Sequence, residues 1–409
     1  MHPRQSFLRH MAPTSDAPLM LEVERADGIY MFGPGGKRYT DLISGIGVSH
    51  LGHRHPKVVE AICKQASEHY LHLMVYGEYV QTPQALLAEK LTSLLPPSLD
   101  SVYFTNSGAE ATEGAMKLCK RVTGRSGFIS FVNAYHGSTQ GALSLMGDDF
   151  FKDKYKPLLP DVKHIRYNNQ DDLAQIANDT AAVFIEAVQA EAGIIKGTEE
   201  FLQAVRKRCD ETGALIVLDE IQTGMGRTGS LFAFEQLGFV PDVLLLGKAF
   251  GSGMPLGAFV SSSNIMKTLS VDPPLGHITT FGGHPVCCAA ALAGLNALVE
   301  EAAPRRDAMP RVSLSLIEQV KEKERLFLKN LSANPLVKAR RSAGLMMTLE
   351  FETHEICKRV IDRCIENGVV TDWFLFAPNC LRIAPPLIIT EQQIEESCTV
   401  INQAIDDEA

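Results

Sequence analysis

The chain has 409 residues, 45% of them hydrophobic and 21% charged; this is an ordinary balance for a globular protein, at a length that exceeds a single hydrophobic core. A net charge of -9 argues against a broad nucleic-acid surface, and no apolar run reaches the length of a membrane helix. Nine cysteines stand singly apart from Cys287-Cys288, with no CxxC spacing, so reduced thiols, a cytoplasmic setting and no metal site are expected.

The opening residues carry Arg4 and Arg9 with no acid before Asp16, and read as a loose arm rather than a targeting segment. Residues 18–45 alternate short apolar pieces with turns such as Gly33-Pro34-Gly35-Gly36, which predicts a strand-rich entry. From Pro56 to Leu94 the spacing is helical, with Val58, Val59, Ile62 and Ala66 on one expected face. Six apolar runs follow: Val102 to Phe104, Phe128 to Phe131, Val183 to Ile185, Leu215 to Leu218, Val243 to Leu246 and Ala258 to Val260. Helical segments separate several of them, including Glu199 to Thr212 before a stop at Gly213. Such alternation predicts an α/β fold with a largely parallel sheet between helices. Residues 283–330 read as mostly helical. Strand-like pieces (Leu345 to Phe351, Arg382-Ile383) and helices then alternate, and Thr390 with Gln393 forms a capping-box pattern. The expected division is an N-terminal arm and strand-rich segment over 1–50 packing with the small domain, a large domain over 51–307, and a smaller α+β domain over 308–409.

In parallel sheets, ligands bind beyond the carboxyl ends of the strands. Ser107, Glu186, Asp219 and Lys248 cluster at those ends. An amine at one strand end and a carboxylate at another suit pyridoxal phosphate. A lysine holds its aldehyde as a Schiff base and later moves protons, and an anion keeps its ring nitrogen protonated. Each residue also has a plainer reading. Ser107-Gly108-Ala109 opens a helix, and is either an anion-binding N-terminus or an ordinary cap. Tyr135 either stacks on a flat heterocycle or sits half-buried near a turn. Asp219 either faces a ring nitrogen, with Gln222 near the phenolic oxygen, or caps a helix. Arg382 either grips a carboxylate or joins a salt bridge.

Taken together, these motifs resemble the class III aminotransferases, fold type I enzymes dependent on pyridoxal phosphate. The resemblance runs from Asp27-Gly28 and Leu51-Gly52-His53-Arg54-His55-Pro56 to Arg382. It is most specific in Leu218-Asp219-Glu220-Ile221-Gln222-Thr223-Gly224-Met225-Gly226-Arg227-Thr228-Gly229, then Pro241-Asp242 and Gly247-Lys248-Ala249. It implies that Lys248 is the Schiff-base lysine, Asp219 the ring-nitrogen partner, Tyr135 the stacking aromatic and Ser107, Gly108 and Ala109 the phosphate loop. It further implies a homodimer in which Thr280 reaches the phosphate in the partner's site.

Two more matches bear on substrate. Arg382 resembles the family's carboxylate-binding arginine and Glu191 its switchable partner, which implies 2-oxoglutarate and glutamate as one substrate pair. The wording over residues 186–258 is most similar to acetylornithine and ornithine enzymes. Ala187, Ala190, Phe250, Ser252 and His284 depart from common family residues. Ser138 stands where those branches usually carry arginine, which leaves open acetylornithine, ornithine, another ω- or β-amino acid, or an amine as donor. The expected activity is amino transfer from such a donor to 2-oxoglutarate. A family aminomutase and a non-catalytic cofactor-binding relative are the rival readings.

Overall fold

A computed structural model describes residues 3–16, 18–72, 77–300 and 315–408. At its centre is a seven-stranded sheet. Its strands are β1 (Ser101–Thr105), β2 (Gly127–Phe131), β3 (Val162–Ile165), β4 (Thr180–Glu186), β5 (Leu215–Asp219), β6 (Val243–Leu246) and β7 (Gly257–Ser261). Their order across the sheet is β1-β7-β6-β5-β4-β2-β3. All six predicted runs are strands. β3 was not predicted, because Val162-Lys163-His164-Ile165 is a short, mixed edge strand. β7 pairs antiparallel with both β6 and β1, and the other pairings are parallel.

The central strands are dry on both faces. Every residue of β4, β6 and β7 is buried. Successive side chains point to opposite faces: Val183, Ile185, Ile216, Leu218, Leu244 and Leu246 join one core. Ala182, Phe184, Val217, Val243 and Leu245 join another beneath the helix Gly108–Thr123. The helix Glu199–Thr212 starts at a Thr198 cap and stops at Gly213, whose φ of 70° only glycine adopts freely.

Outside this sheet, strands Ala339–Ser342, Met347–Glu350, Ala377–Ile383 and Asp372–Phe374 form an antiparallel sheet in that order. The strand Arg38–Asp41 belongs to a separate sheet and pairs in parallel with Val369–Val370. The final helix, Glu391–Asp406, opens on the Thr390–Gln393 capping box.

Two local expectations are corrected. Pro3–His10 is a helix with no buried residue rather than a loose arm. On the helix Pro56–Lys64, Val58 is buried and Ile62 partly so, whereas Val59 is exposed, as is Ala66 in the π-helical turn Gln65–His69 that follows. A 3.6-residue period places 58, 62 and the buried Gln65 on one face and carries 59 and 66 past it. The expected boundary at 307 lies outside the described residues.

Candidate active site

Because β1 and β6 both oppose β7, all the strands except β7 end on the same edge. That edge gathers the loops after β1, β2, β4, β5 and β6 around a cavity of about 200 Å³. Gly108, Ala109, Tyr135, Ser138, Glu186, Glu191, Asp219, Gln222 and Lys248 line it. Thus nine residues singled out by sequence or by resemblance meet in one place. Ser107 lies just beyond this lining: its hydroxyl accepts the Glu110 N–H at 3.2 Å and caps the helix. Ahead of that bond, the first-turn N–H groups of Gly108 and Ala109 have no helical acceptor and are available to an anion.

Asp219 and Glu186 are register partners on adjacent parallel strands. Asp219 accepts the Ile221 N–H through Oδ1 at 2.9 Å and lies 2.7 Å from His136 Nδ1 through Oδ2. The buried His136 ring is pulled down by desolvation, but the hydrogen bond and charge of Asp219, with Glu186, raise its pKa overall. Its Nε2 is buried without a partner. Glu186 accepts the Tyr135 and Ala190 N–H groups, each at 3.2 Å, and burial pushes its carboxyl up to about 7. The Tyr135 hydroxyl meets Ser138 Oγ at 3.1 Å.

Lys248 follows β6 with φ +47°, an uncommon conformation for a residue with a side chain. It opens onto the cavity yet is enclosed by protein, and burial lowers its pKa against the attraction of Glu191. A second cavity, of about 890 Å³, also touches Tyr135, Glu191 and Lys248. It extends past Ile43, Ile46, Ile361, Trp373 and Leu375 to Arg382.

At that junction Arg382 grips Glu191 bidentately, Nη1 to Oε1 at 3.1 Å and Nη2 to Oε2 at 2.9 Å. Both side chains are buried. Glu191 sits at the tip of the hairpin formed by Val188–Gln189 and Ile195–Lys196. It also accepts the Leu375 N–H at 3.1 Å and a weaker contact from Gln222 at 3.4 Å. The pairing with Arg382 lowers its pKa against the cost of burial. Thr280 is absent from both cavity linings and is exposed on a loop.

The class III aminotransferase profile matches residues 11–405. The chain belongs to the class III aminotransferases. It is 36% identical to the acetylornithine aminotransferase of Methanopyrus kandleri, over 97% of this chain and 96% of that one. It is 38% identical to the acetylornithine aminotransferase of Methanocaldococcus jannaschii, over 92% and 91%. Among solved structures, an ornithine aminotransferase from Toxoplasma gondii superposes with a TM-score of 0.88 at 26% identity, covering 99% of this chain and 94% of that one. An adenosylmethionine-8-amino-7-oxononanoate aminotransferase from Methanocaldococcus jannaschii gives 0.88 at 28% identity, covering 99% and 98%.

This aminotransferase is therefore a transaminase dependent on pyridoxal phosphate, and its cavity suits that group. The donor set for that group is the Lys248 amine, the Asp219 carboxylate fixed by His136 and the Ile221 N–H, and a helix N-terminus. The loops close tightly because three glycines meet. A Cβ on Gly137, at φ +125°, would lie 2.6 Å from Ala109 Cβ. One on Gly108 would strike Ile221 at 2.6 Å, and one on Gly247 would approach Gly108 Cα at 3.3 Å. Sequence reasoning missed His136 as Asp219's partner and Asp372 as Arg382's neighbour. The first stood inside the Tyr135-His136-Gly137-Ser138 motif, but no local signal pairs it with a residue 83 positions away.

Proposed function

We propose that this aminotransferase moves the amino group of an ω-amino or related amino acid, acetylornithine- or ornithine-like, to 2-oxoglutarate. The products are an aldehyde or oxo acid and glutamate. The observation that carries this reading is the buried Glu191–Arg382 pair, whose glutamate lines both the Lys248 cavity and the larger chamber and whose arginine lines the chamber. A free buried guanidinium is costly beside an apolar or cationic tail. Covered by Glu191 it tolerates an amine donor, and uncovered it holds a dicarboxylate. The acetylornithine and ornithine enzymes among its relatives support the donor class.

Pyridoxal phosphate, when bound, supplies an aldehyde for an amine and a ring that accepts electrons. Lys248 would hold that aldehyde, and its Nζ, biased toward the neutral form by burial, would move a proton between the substrate carbon bearing nitrogen and the cofactor. Asp219, fixed by His136 and the Ile221 N–H, keeps an anion beside the ring nitrogen. Ser107, Gly108 and Ala109 would hold the phosphate, Tyr135 would cover the ring and Gln222 would serve the phenolic oxygen, while Glu186 supports the Tyr135 backbone.

The working unit in this reading is a homodimer with Thr280 reaching the partner's phosphate. The exposure of Ile278 at 52% and Phe281 at 60% on the same loop supports it. A cytoplasmic setting fits nine free cysteines, and no helix among the described residues is long and apolar enough to cross a membrane. The large domain is taken as 51–307 and the small one as 308–409. Half-reactions test the function. Loaded enzyme is mixed with glutamate, acetylornithine, ornithine, 4-aminobutyrate, β-alanine or a simple amine, and the cofactor's visible band is followed. Loss of the band with glutamate and with one ω-amine is expected. Conversion that needs no external oxo acid would favour an aminomutase instead.

A further inference from the structure

Arg382 is held by more than Glu191. The strand Asp372–Phe374 lies against it, and Asp372 is its cross-strand register partner. Asp372 Oδ1 comes within 3.0 Å of Arg382 Nε. The Trp373 carbonyl accepts from Nη2 at 3.1 Å, and the guanidinium carbon lies 4.4 Å from the centre of the Phe374 ring. One strand therefore supplies a carboxylate, a carbonyl and an aromatic face to a guanidinium that is 3% exposed.

The contact with Asp372 is incomplete. The two atoms are in ion-pair range, but the N–H is not aligned on the oxygen, and both Arg382 Nε and Asp372 Oδ1 are buried without a hydrogen bond. A buried donor and acceptor gain from alignment that this contact has not reached. Glu191 occupies the edge formed by Nη1 and Nη2, and Asp372 faces Nε.

We propose that Asp372 is the positioning residue of the carboxylate gate: it holds Arg382 by Nε when Glu191 leaves, so the Nη1/Nη2 edge stays directed at an incoming dicarboxylate. The moving member of the gate is then Glu191, and the arginine is the fixed one. This rests on the proposed function and adds the device that keeps the acceptor site formed while its cover is away. Asp372 also borders the larger chamber; burial raises its carboxyl to about 6, so at neutral pH a second negative group remains beside Arg382. A dicarboxylate therefore gains from directed hydrogen bonds rather than from a bare positive charge.

The test uses loaded enzyme carrying Asp372→Ala or Asp372→Asn, with steady-state kinetics for 2-oxoglutarate and for the amine donor that wild type accepts. Asp372→Ala is expected to raise KM for 2-oxoglutarate about tenfold at nearly constant kcat. The half-reaction with a donor lacking a carboxylate is expected to stay within about twofold, because that donor leaves the gate closed. Asp372→Asn, whose amide oxygen still accepts from Nε, is expected to restore most of the KM. An unchanged KM for 2-oxoglutarate in Asp372→Ala overturns the proposal, as does an equal loss for both substrates or failure of asparagine to rescue. If wild type itself does not react with glutamate, the functional reading fails first. If it does react and Asp372→Ala matches it, only this inference fails.

Discussion

Replacing Glu191 with alanine separates the two substrate types. The change removes two charge-assisted bonds to Arg382, at 3.1 and 2.9 Å, and leaves a guanidinium that is 3% exposed. Breaking a buried ion pair from one side costs about 3–5 kcal/mol. Asp372 at 3.0 Å and the Trp373 carbonyl at 3.1 Å recover part of this, so about 2–3 kcal/mol remains against an apolar or cationic tail placed beside it. At about 1.4 kcal/mol per tenfold, kcat/KM for an ω-amine donor should fall roughly 30- to 150-fold. Glutamate has the opposite balance. In the proposed gate its carboxylate displaces Glu191, which also surrenders the Leu375 N–H at 3.1 Å. With alanine that competition is gone, and kcat/KM for glutamate should hold or rise by up to about tenfold. Single-turnover half-reactions, followed by the visible band of the bound cofactor, measure both. An equal loss for the two donors would refute the gate.

Lys248→Ala should abolish turnover while the phosphate and ring contacts still retain cofactor, read by equilibrium dialysis; undiminished transamination would reject the assignment. Gly137→Ala forces a side chain into φ +125° and within 2.6 Å of Ala109 Cβ. A strain of about 1–3 kcal/mol should lower both the melting temperature and cofactor retention, and an unchanged melt would show that the loops can separate freely. Glu220 gives a pH test. Burial raises its carboxyl from 4.5 to about 7, although it accepts the Ala233 and Phe234 N–H groups at 2.7 Å. The folded state thus holds the proton more tightly than the unfolded one, so this contribution is complete below about pH 4.5 and is lost as pH rises through 7. On the order of 3 kcal/mol is involved. The fall in melting temperature between pH 5 and 7 should be shallower in Glu220→Gln than in wild type, and identical slopes would exclude the carboxyl.

The strand ends of the large sheet were legible because a dry parallel strand writes itself as an apolar run. The residue that breaks the run is then a candidate for the ligand edge. Glu186, Asp219 and Lys248 were found that way. An apolar run carries no direction, so the antiparallel course of β7 was not visible, although that course is what places the end of β1, and with it Gly108 and Ala109, on the same edge as Lys248. Pairings across the fold were harder still. Glu191 and Arg382 are 191 positions apart, and only a family resemblance brought them together in advance. Asp372 had no such signal: nothing marks Asp-Trp-Phe as a clamp until Asp372 and Arg382 are set opposite each other on neighbouring strands. The alternation of a strand then explains why Asp372 and Phe374 act on one side chain, since residues two apart share a face. In the proposed gate Arg382 sits in a paired strand and Glu191 at a hairpin tip, and that difference is why the proposal assigns the movement to Glu191.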